Sequence, residues 1–371
     1  MRNASIRFID PNTDKNQFFP SLRKEVDSYF KDRQLSKYSN SSMVVKTVVL
    51  FSLYILPFIA LLAFNPPLMV SLSLWGLMGF AMAGIGMSVM HDANHGSYSK
   101  NPQVNKILGF SLNMLGGSVF NWKIQHNILH HTYTNISHVD DDIADKLILK
   151  LSPNTSAKWY HKFQVLYAFL FYSIVTLYWA TLKDLLQFRR YIKDGMNKNT
   201  PSENRTILLK MILDKILYFS ILILLPIYGF GISAGQVLGG FLLMHAIAGI
   251  ILTVIFQLAH TVEGTSHPLP NEANVIENSW AIHQLNTTVN FSGKNKFLTW
   301  YLGGLNYQIE HHLFPNICHI HYPAISKIVR SACQKFEIPY LETKSFWSAV
   351  RSHIKTLKRF GVRVSLDEAV N

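Results

Sequence analysis

Four stretches of this chain are apolar for about twenty residues at a time, the length of helix needed to cross a hydrocarbon layer of ~30 Å. They run roughly over 44–64, 68–90, 212–231 and 235–259. The pattern predicts four helices apolar on every side. The third begins with Asp214 and Lys215, which belong at an interface where the lysine stem can snorkel. A fifth stretch, roughly 163–182, has the length but carries Tyr167, Tyr172, Tyr178 and Trp179 along its course.

The polar segments between these runs assign sides. Lys183, Arg189, Arg190, Lys193, Lys198, Arg205 and Lys210 crowd the stretch before the third run, and the N-terminal 42 residues are similarly basic. The joints at 65–67 and 231–234 hold no Lys or Arg. Positive loops stay in the cytosol, so the first two segments lie inside and the joints outside. Histidines up to His131 and from His260 onward share one face only if an even number of crossings separates them. Stretch 163–182 is therefore expected as an interfacial helix or re-entrant hairpin. The expected fold is an all-α integral membrane protein with four transmembrane helices, an interfacial helix and a cytosolic helical cap holding a di-metal site. Its segments are 1–42 (cytosolic), 43–330 (membrane domain) and 331–371 (cytosolic).

Composition agrees. Of 371 residues 49% are hydrophobic and 15% charged, and Lys plus Arg outnumber Asp plus Glu by 35 to 22. The net +13 suits anionic headgroups or an acidic protein partner. No basic run is interleaved with exposed aromatics, which argues against nucleic acid. Two cysteines, Cys318 and Cys333, are too few for a disulfide framework. The opening MRNASIRFIDPNTDKNQFF has no apolar core long enough for a signal peptide, so no cleavage is expected.

Histidines gather where the apolar runs end. His91 and His95 follow the second run at helical i, i+4 spacing, on one face. His126 and His130 repeat that spacing, and His131 is expected ~100° around the helix. His311 and His312 close a third cluster, with Gln308 one turn earlier, and His260 ends the fourth run. Imidazole suits zinc, copper, iron or nickel. Seven or eight histidines exceed one tetrahedral zinc and fit two metals with positions left open. Beside an apolar interior, two irons activating O2 against an inert C–H bond is the chemistry that uses this combination.

The segments HDANHGSYSKNP, HNILHHTYTNI and GGLNYQIEHHLFPNICHIHYP resemble the membrane fatty acid desaturases, over about residues 80–330. Within them they are similar to the front-end, delta-6-like acyl-lipid enzymes of cyanobacteria and related bacteria, where Gln308 replaces the first histidine of the third box. WAIHQLNTTVNF, residues 280–291, is similar to the segment ahead of that box. The resemblance implies that His91, His95, His126, His130, His131, His260, His311 and His312 bind two irons with O2 as cosubstrate. It implies a fatty acyl lipid or acyl-CoA substrate and a cis double bond formed on the carboxyl side of an existing one. Many eukaryotic members carry a fused cytochrome b5 with a His-Pro-Gly-Gly motif; His267-Pro268 here continues as Leu269-Pro270. Electrons are thus expected from a separate ferredoxin or free cytochrome b5, and the site in a bacterial inner membrane with its catalytic face cytosolic.

Gln308, Asp92, Asn127 and His283 are candidates to support ligands by hydrogen bonds. Asp140, Asp141 and Asp142 read as a solvated acidic loop. His245 lies too deep for the metals and reads as a packed or tunnel-wall residue. His138, His161, His319, His321 and His353 read as surface or structural. An acyl hydroxylase and a desaturase of different regiospecificity remain alternatives within the same chemistry. A metal transporter or sensor is disfavoured, because the runs contain only His245.

Overall fold

The computed structural model describes residues 6–11, 15–143 and 148–362. Residues 1–5 and 12–14 of the expected N-terminal segment, and 363–371 of the expected C-terminal one, lie outside the described residues. The described chain is mostly helical and falls into two compact units. One comprises Tyr38–Ile124 and Leu170–Val254, the other Met1–Lys37, Gln125–Phe169 and Ile255–Asn371.

The first unit is the apolar one. Helices α1 (Ser41–Phe64) and α2 (Leu68–Asn94) are long and apolar enough to cross a membrane. Helix α1 starts at Asn40, whose side chain accepts from Met43 N at 3.1 Å and so satisfies one of the free amides of its first turn. It buries Met43, Leu50, Tyr54 and Leu61 and leaves Val45, Val48, Leu56 and Ile59 facing outward. A helix apolar on both faces is stable only where the outer face meets lipid. Helix α3 (Val175–Lys193) is the second arm of a pair, Trp159–Ser173 being the first, with a 54° bend between them. This pair is the stretch expected at the interface. The expected run 212–231 lies in α4, which is α-helical over Pro201–Phe219 and π-helical over Ser220–Gly229. A third apolar helix of crossing length, α5 (Ala234–His260), begins in this unit. The described chain therefore has three such helices, or four if the bent pair is one span.

Backbones in this unit approach closely through glycine. A Cβ on Gly249 of α5 would stand 2.6 Å from the Ser173 carbonyl oxygen, and one on Gly79 of α2 would stand 2.5 Å from that of Met244. Lys215, expected to snorkel, instead points inward. Its ammonium reaches Asp184 at 2.9 Å and the carbonyls of Gly116, Trp179 and Ala180 at 3.1, 2.8 and 3.1 Å. A buried ammonium needs such a full set of acceptors. His245, on α5, bonds Tyr218 Oη at 2.9 Å and Thr176 Oγ1 at 3.1 Å, a packed residue as its depth implied.

The second unit is amphipathic. The helix Phe18–Asp32 turns Phe18, Leu22 and Val26, spaced four apart, into a core with Ile309, Leu313, Ile325 and Val329. Helices α6 (Trp280–Thr287), α7 (Gln308–Leu313), α8 (Tyr322–Lys335) and α9 (Phe346–Gly361) follow. Two short parallel strand pairs bring distant segments together. Arg7–Phe8 pairs with Val275–Ile276, and Asn290–Phe291 with Glu342–Thr343.

Candidate metal centre

In the first unit, α2 passes through a π-helical turn at Ile85–Val89 before presenting His91 and His95. Their rings lie 4.7 Å apart between centroids, and Trp122 packs edge-on against both at 5.8 and 5.5 Å. Asp92 is buried beside His91, its carboxylate 3.9 Å from Nδ1.

In the second unit, six imidazoles converge. Segment Lys123–His130 is π-helical, and its i→i+5 hydrogen bonding turns residues five apart toward one face. His131 therefore does not stand ~100° away from its cluster as α-helical spacing predicts; its Nε2 is 3.3 Å from that of His126. Helix α7 brings His311 within 4.6 Å and His312 within 4.5 Å of the His131 ring centre. The His130 and His260 ring centres are 4.7 Å apart, and each is 4.9 Å from that of His312. His130, His260 and His312 have no exposed surface.

The outward nitrogens of four of these rings are committed to protein partners. His130 Nδ1 meets Asp140 at 3.0 Å, and His260 Nδ1 meets the Thr287 carbonyl at 3.3 Å. His312 Nδ1 meets Gln284 Oε1 at 2.8 Å, and His311 Nδ1 meets Tyr322 Oη at 3.3 Å. The carboxylate, carbonyl and amide oxygens at Nδ1 of His130, His260 and His312 fix the proton there and leave Nε2 as a lone pair. Nε2 of His130 and of His260 are buried without a hydrogen-bond partner. A native interior does not leave such atoms empty-handed unless they serve another purpose.

Ligand atoms of His130, His260 and His312 lie within 4.8 Å of one another, as do those of His131, His311 and His312, and those of His126, His130 and Asp142. Overlapping triads that share members fit two adjacent ions better than one. Burial lowers the His130 imidazole, but Asp140, by charge and hydrogen bond, with Asp142, carries it above its ordinary value. That field favours a cation.

The acidic loop is thus not solvated. Asp140 has no exposed surface; besides His130 it accepts Asn135 N–H at 2.9 Å and Asp142 N–H at 3.0 Å, while Asp142 accepts from Gln125. Gln284 was not singled out from sequence, although its neighbour His283 was. Its amide donates to the His131 carbonyl at 3.1 Å while its oxygen takes His312, tying the second box to the third. Trp280 Nε1 donates to the same carbonyl at 3.0 Å. The one cue for both was their place in WAIHQLN. His283 is buried, faces the Phe8 ring at 5.0 Å, and has its pKa pushed down to about 4 by burial. Gln308, 3% exposed, opens α7, and Asn127 is half-buried between His126 and His130. His161, His319 and His353 are buried and His138 is exposed.

The fatty acid desaturase family model matches residues 66–344. An acyl-lipid (8-3)-desaturase of Physcomitrium patens is 34% identical over 97% of this chain and 75% of its own length. Two sn-1 linoleoyl-lipid 6-desaturases are similar. That of Synechocystis sp. is 36% identical over 94% of this chain and 97% of its own length, and that of Arthrospira platensis 32% identical over 93% of each. With a match over most of its length and a buried cluster of imidazoles to carry the oxidation, the chain belongs to the fatty acid desaturase family.

Proposed function

We propose that this protein is a front-end acyl-lipid desaturase that sets a cis double bond between an existing one and the carboxyl end of an 18-carbon chain. The observation that carries the site assignment is the set of converging histidines whose Nδ1 atoms are already engaged. Similarity to the two linoleoyl-lipid enzymes supports the regiochemistry and an acyl-lipid substrate.

His126, His130, His131, His260, His311 and His312 would hold iron, and from the family resemblance His91 and His95 are proposed as further ligands and Gln308 as a supporting residue. A bound iron pair supplies the redox chemistry by which O2, two electrons and two protons accept two hydrogens from adjacent carbons, giving an alkene and two waters. The protein's share is orientation and exclusion of water. Asp140, Thr287 and Gln284 hold three rings in one tautomer, and Tyr322 orients a fourth, so little reorganisation is needed when Nε2 meets a cation. Burial of His130, His260 and His312 keeps bulk water from the reacting carbons.

In the membrane we propose four crossings, with α1, α2, α4 and α5 spanning and the bent pair at the interface. The histidines then face the cytosol, in a bacterial inner membrane. The distribution of Lys and Arg supports this sidedness. A ferredoxin or a free cytochrome b5 would deliver electrons, drawn by the net +13 charge.

The test is expression in a host supplying such a donor, feeding linoleate and mapping double bonds in the recovered lipids. A new bond at carbon 6 is expected. Hydroxylated products alone, or unchanged lipids from folded, iron-loaded protein, would overturn the assignment.

A further inference from the structure

The six-residue helix α7 carries His311 and His312, yet it is too short to hold itself. Its N-cap Tyr307 makes no side-chain capping bond. The missing cap comes from another segment: Asn290 Oδ1 accepts the Ile309 N–H at 2.9 Å, one of the amides that the first turn leaves free. The rest of the Asn290 amide continues into a closed ring. Its Nδ2 donates to Glu310 Oε2 at 2.7 Å and to Tyr340 Oη at 2.7 Å, and Tyr340 O–H donates to Glu310 Oε1 at 2.9 Å.

Glu310 has no exposed surface, and its side chain turns away from solvent into this ring. The direction of every bond is fixed. A backbone N–H can only donate, so the amide oxygen must face Ile309 and its nitrogen must face the two oxygens. Tyr340 arrives with the strand pair, where Asn290 N–H donates to the Leu341 carbonyl at 3.0 Å. Arg330 lies over its ring, 4.5 Å from the centroid, and pairs with Glu342.

We propose that Asn290, Glu310 and Tyr340 form a clamp that positions His311 and His312, so that residues outside the histidine boxes set the register of the third. This rests on the reading that those two histidines hold metal. The three are positioning residues, since none is proposed to touch substrate or iron.

The charge pattern gives the test. Glu310→Gln leaves a single accepting oxygen for two donors, the Asn290 N–H and the Tyr340 O–H, and Asn290→Asp sets two carboxylates face to face. The double exchange, Asn290→Asp with Glu310→Gln, restores the amide-to-carboxylate bond with its direction reversed and keeps the oxygen facing Ile309, while Tyr340 O–H, with one proton, donates to one of the two side chains only. Iron per chain after chelator dialysis, and kcat and KM for the acyl substrate, are measured on purified full-length protein. Each single variant is expected to lose iron and kcat by about tenfold with KM within about twofold, and the double exchange to recover part of both. Comparing variants with the same side-chain groups keeps the outcome readable even if one single variant folds poorly. Single variants that keep iron and kcat, or a double exchange no better than the worse single, overturn the clamp while wild-type protein still binds two irons. Wild-type protein that binds no iron overturns the clamp together with the reading beneath it.

Discussion

Replacing Asp140 by asparagine changes one oxygen for nitrogen at a site with no exposed surface. In the native protein Oδ2 accepts from both His130 Nδ1 at 3.0 Å and Asn135 N at 2.9 Å, and Oδ1 accepts from Asp142 N at 3.0 Å. All three partners donate, and an amide presents only one accepting atom. Turned with its oxygen toward His130, the new side chain sets N–H against N–H at Asp142; turned the other way, it loses both other bonds. Either way at least one buried donor is stranded, and the bond to His130 loses its charge assistance. Stranding a buried donor costs ~1–3 kcal/mol. Loss of a ligand's hydrogen-bonded carboxylate typically weakens metal binding 10- to 100-fold, ~1.4–2.7 kcal/mol. Asp140→Asn is thus expected to retain iron about 10- to 100-fold more weakly, measured by equilibrium competition with a chelator and elemental analysis. Desaturation per bound iron is expected to fall less than desaturation per chain. An Asp140→Asn protein with wild-type iron affinity would refute the placement of His130 as a ligand held through Nδ1.

Two further predictions concern stability. Gly249→Ala, whose methyl would meet the Ser173 and Tyr172 carbonyl oxygens at 2.6 and 2.7 Å, should lower thermal stability in detergent by ~1–3 kcal/mol. Gly239→Ala on the same helix, with nothing within 4 Å, should raise it by up to ~1 kcal/mol; equal effects would refute the close-approach reading. His353, buried with Nδ1 2.8 Å from the Thr261 carbonyl, has its pKa pushed down to about 4 by burial. An unfolded chain takes up that proton near pH 6.5 and the folded one near 4, so the folded state loses stability as pH falls through this window. The loss is ~2 kcal/mol at pH 5 relative to pH 7.5. His353→Asn should flatten the decline of unfolding free energy between pH 7.5 and 5 by that amount, and an unchanged slope would refute the assignment.

Which residues announce themselves in the sequence depends on whether they repeat. His91 and His95, His126 and His130, and His311 and His312 stand out because one residue type recurs within a turn of chain three times over. The apolar runs are legible for the same reason. Supporting residues carry no such signature. Asp140 reads as the start of a charged loop because three acids in a row are usually solvated, and only the fold turns the first one inward. Gln284 looks like any helix residue, since the His131 carbonyl and His312 reach it from far along the chain. Lys215 looked like a snorkelling cation because nothing local reveals Asp184 and three open carbonyls waiting for it. The position of His131 is not legible because α-helical winding gives the wrong angle for a segment that is π-helical.

That winding couples the length of the second box to its helical form in a way substitutions do not expose. Residues 123–130 hold their ring positions through a turn one residue longer than an α-helical one. Deleting one residue there, Ile128 for instance, and returning to ordinary winding would change no imidazole and would leave His126 facing the two later histidines, then three and four positions on, because ~100° per residue over that shorter gap ends near where the wider turn ends. Histidine counts, and motif patterns that tolerate a variable gap, would score such a chain as intact. In this protein the winding of the backbone and the number of residues between the histidines are set together.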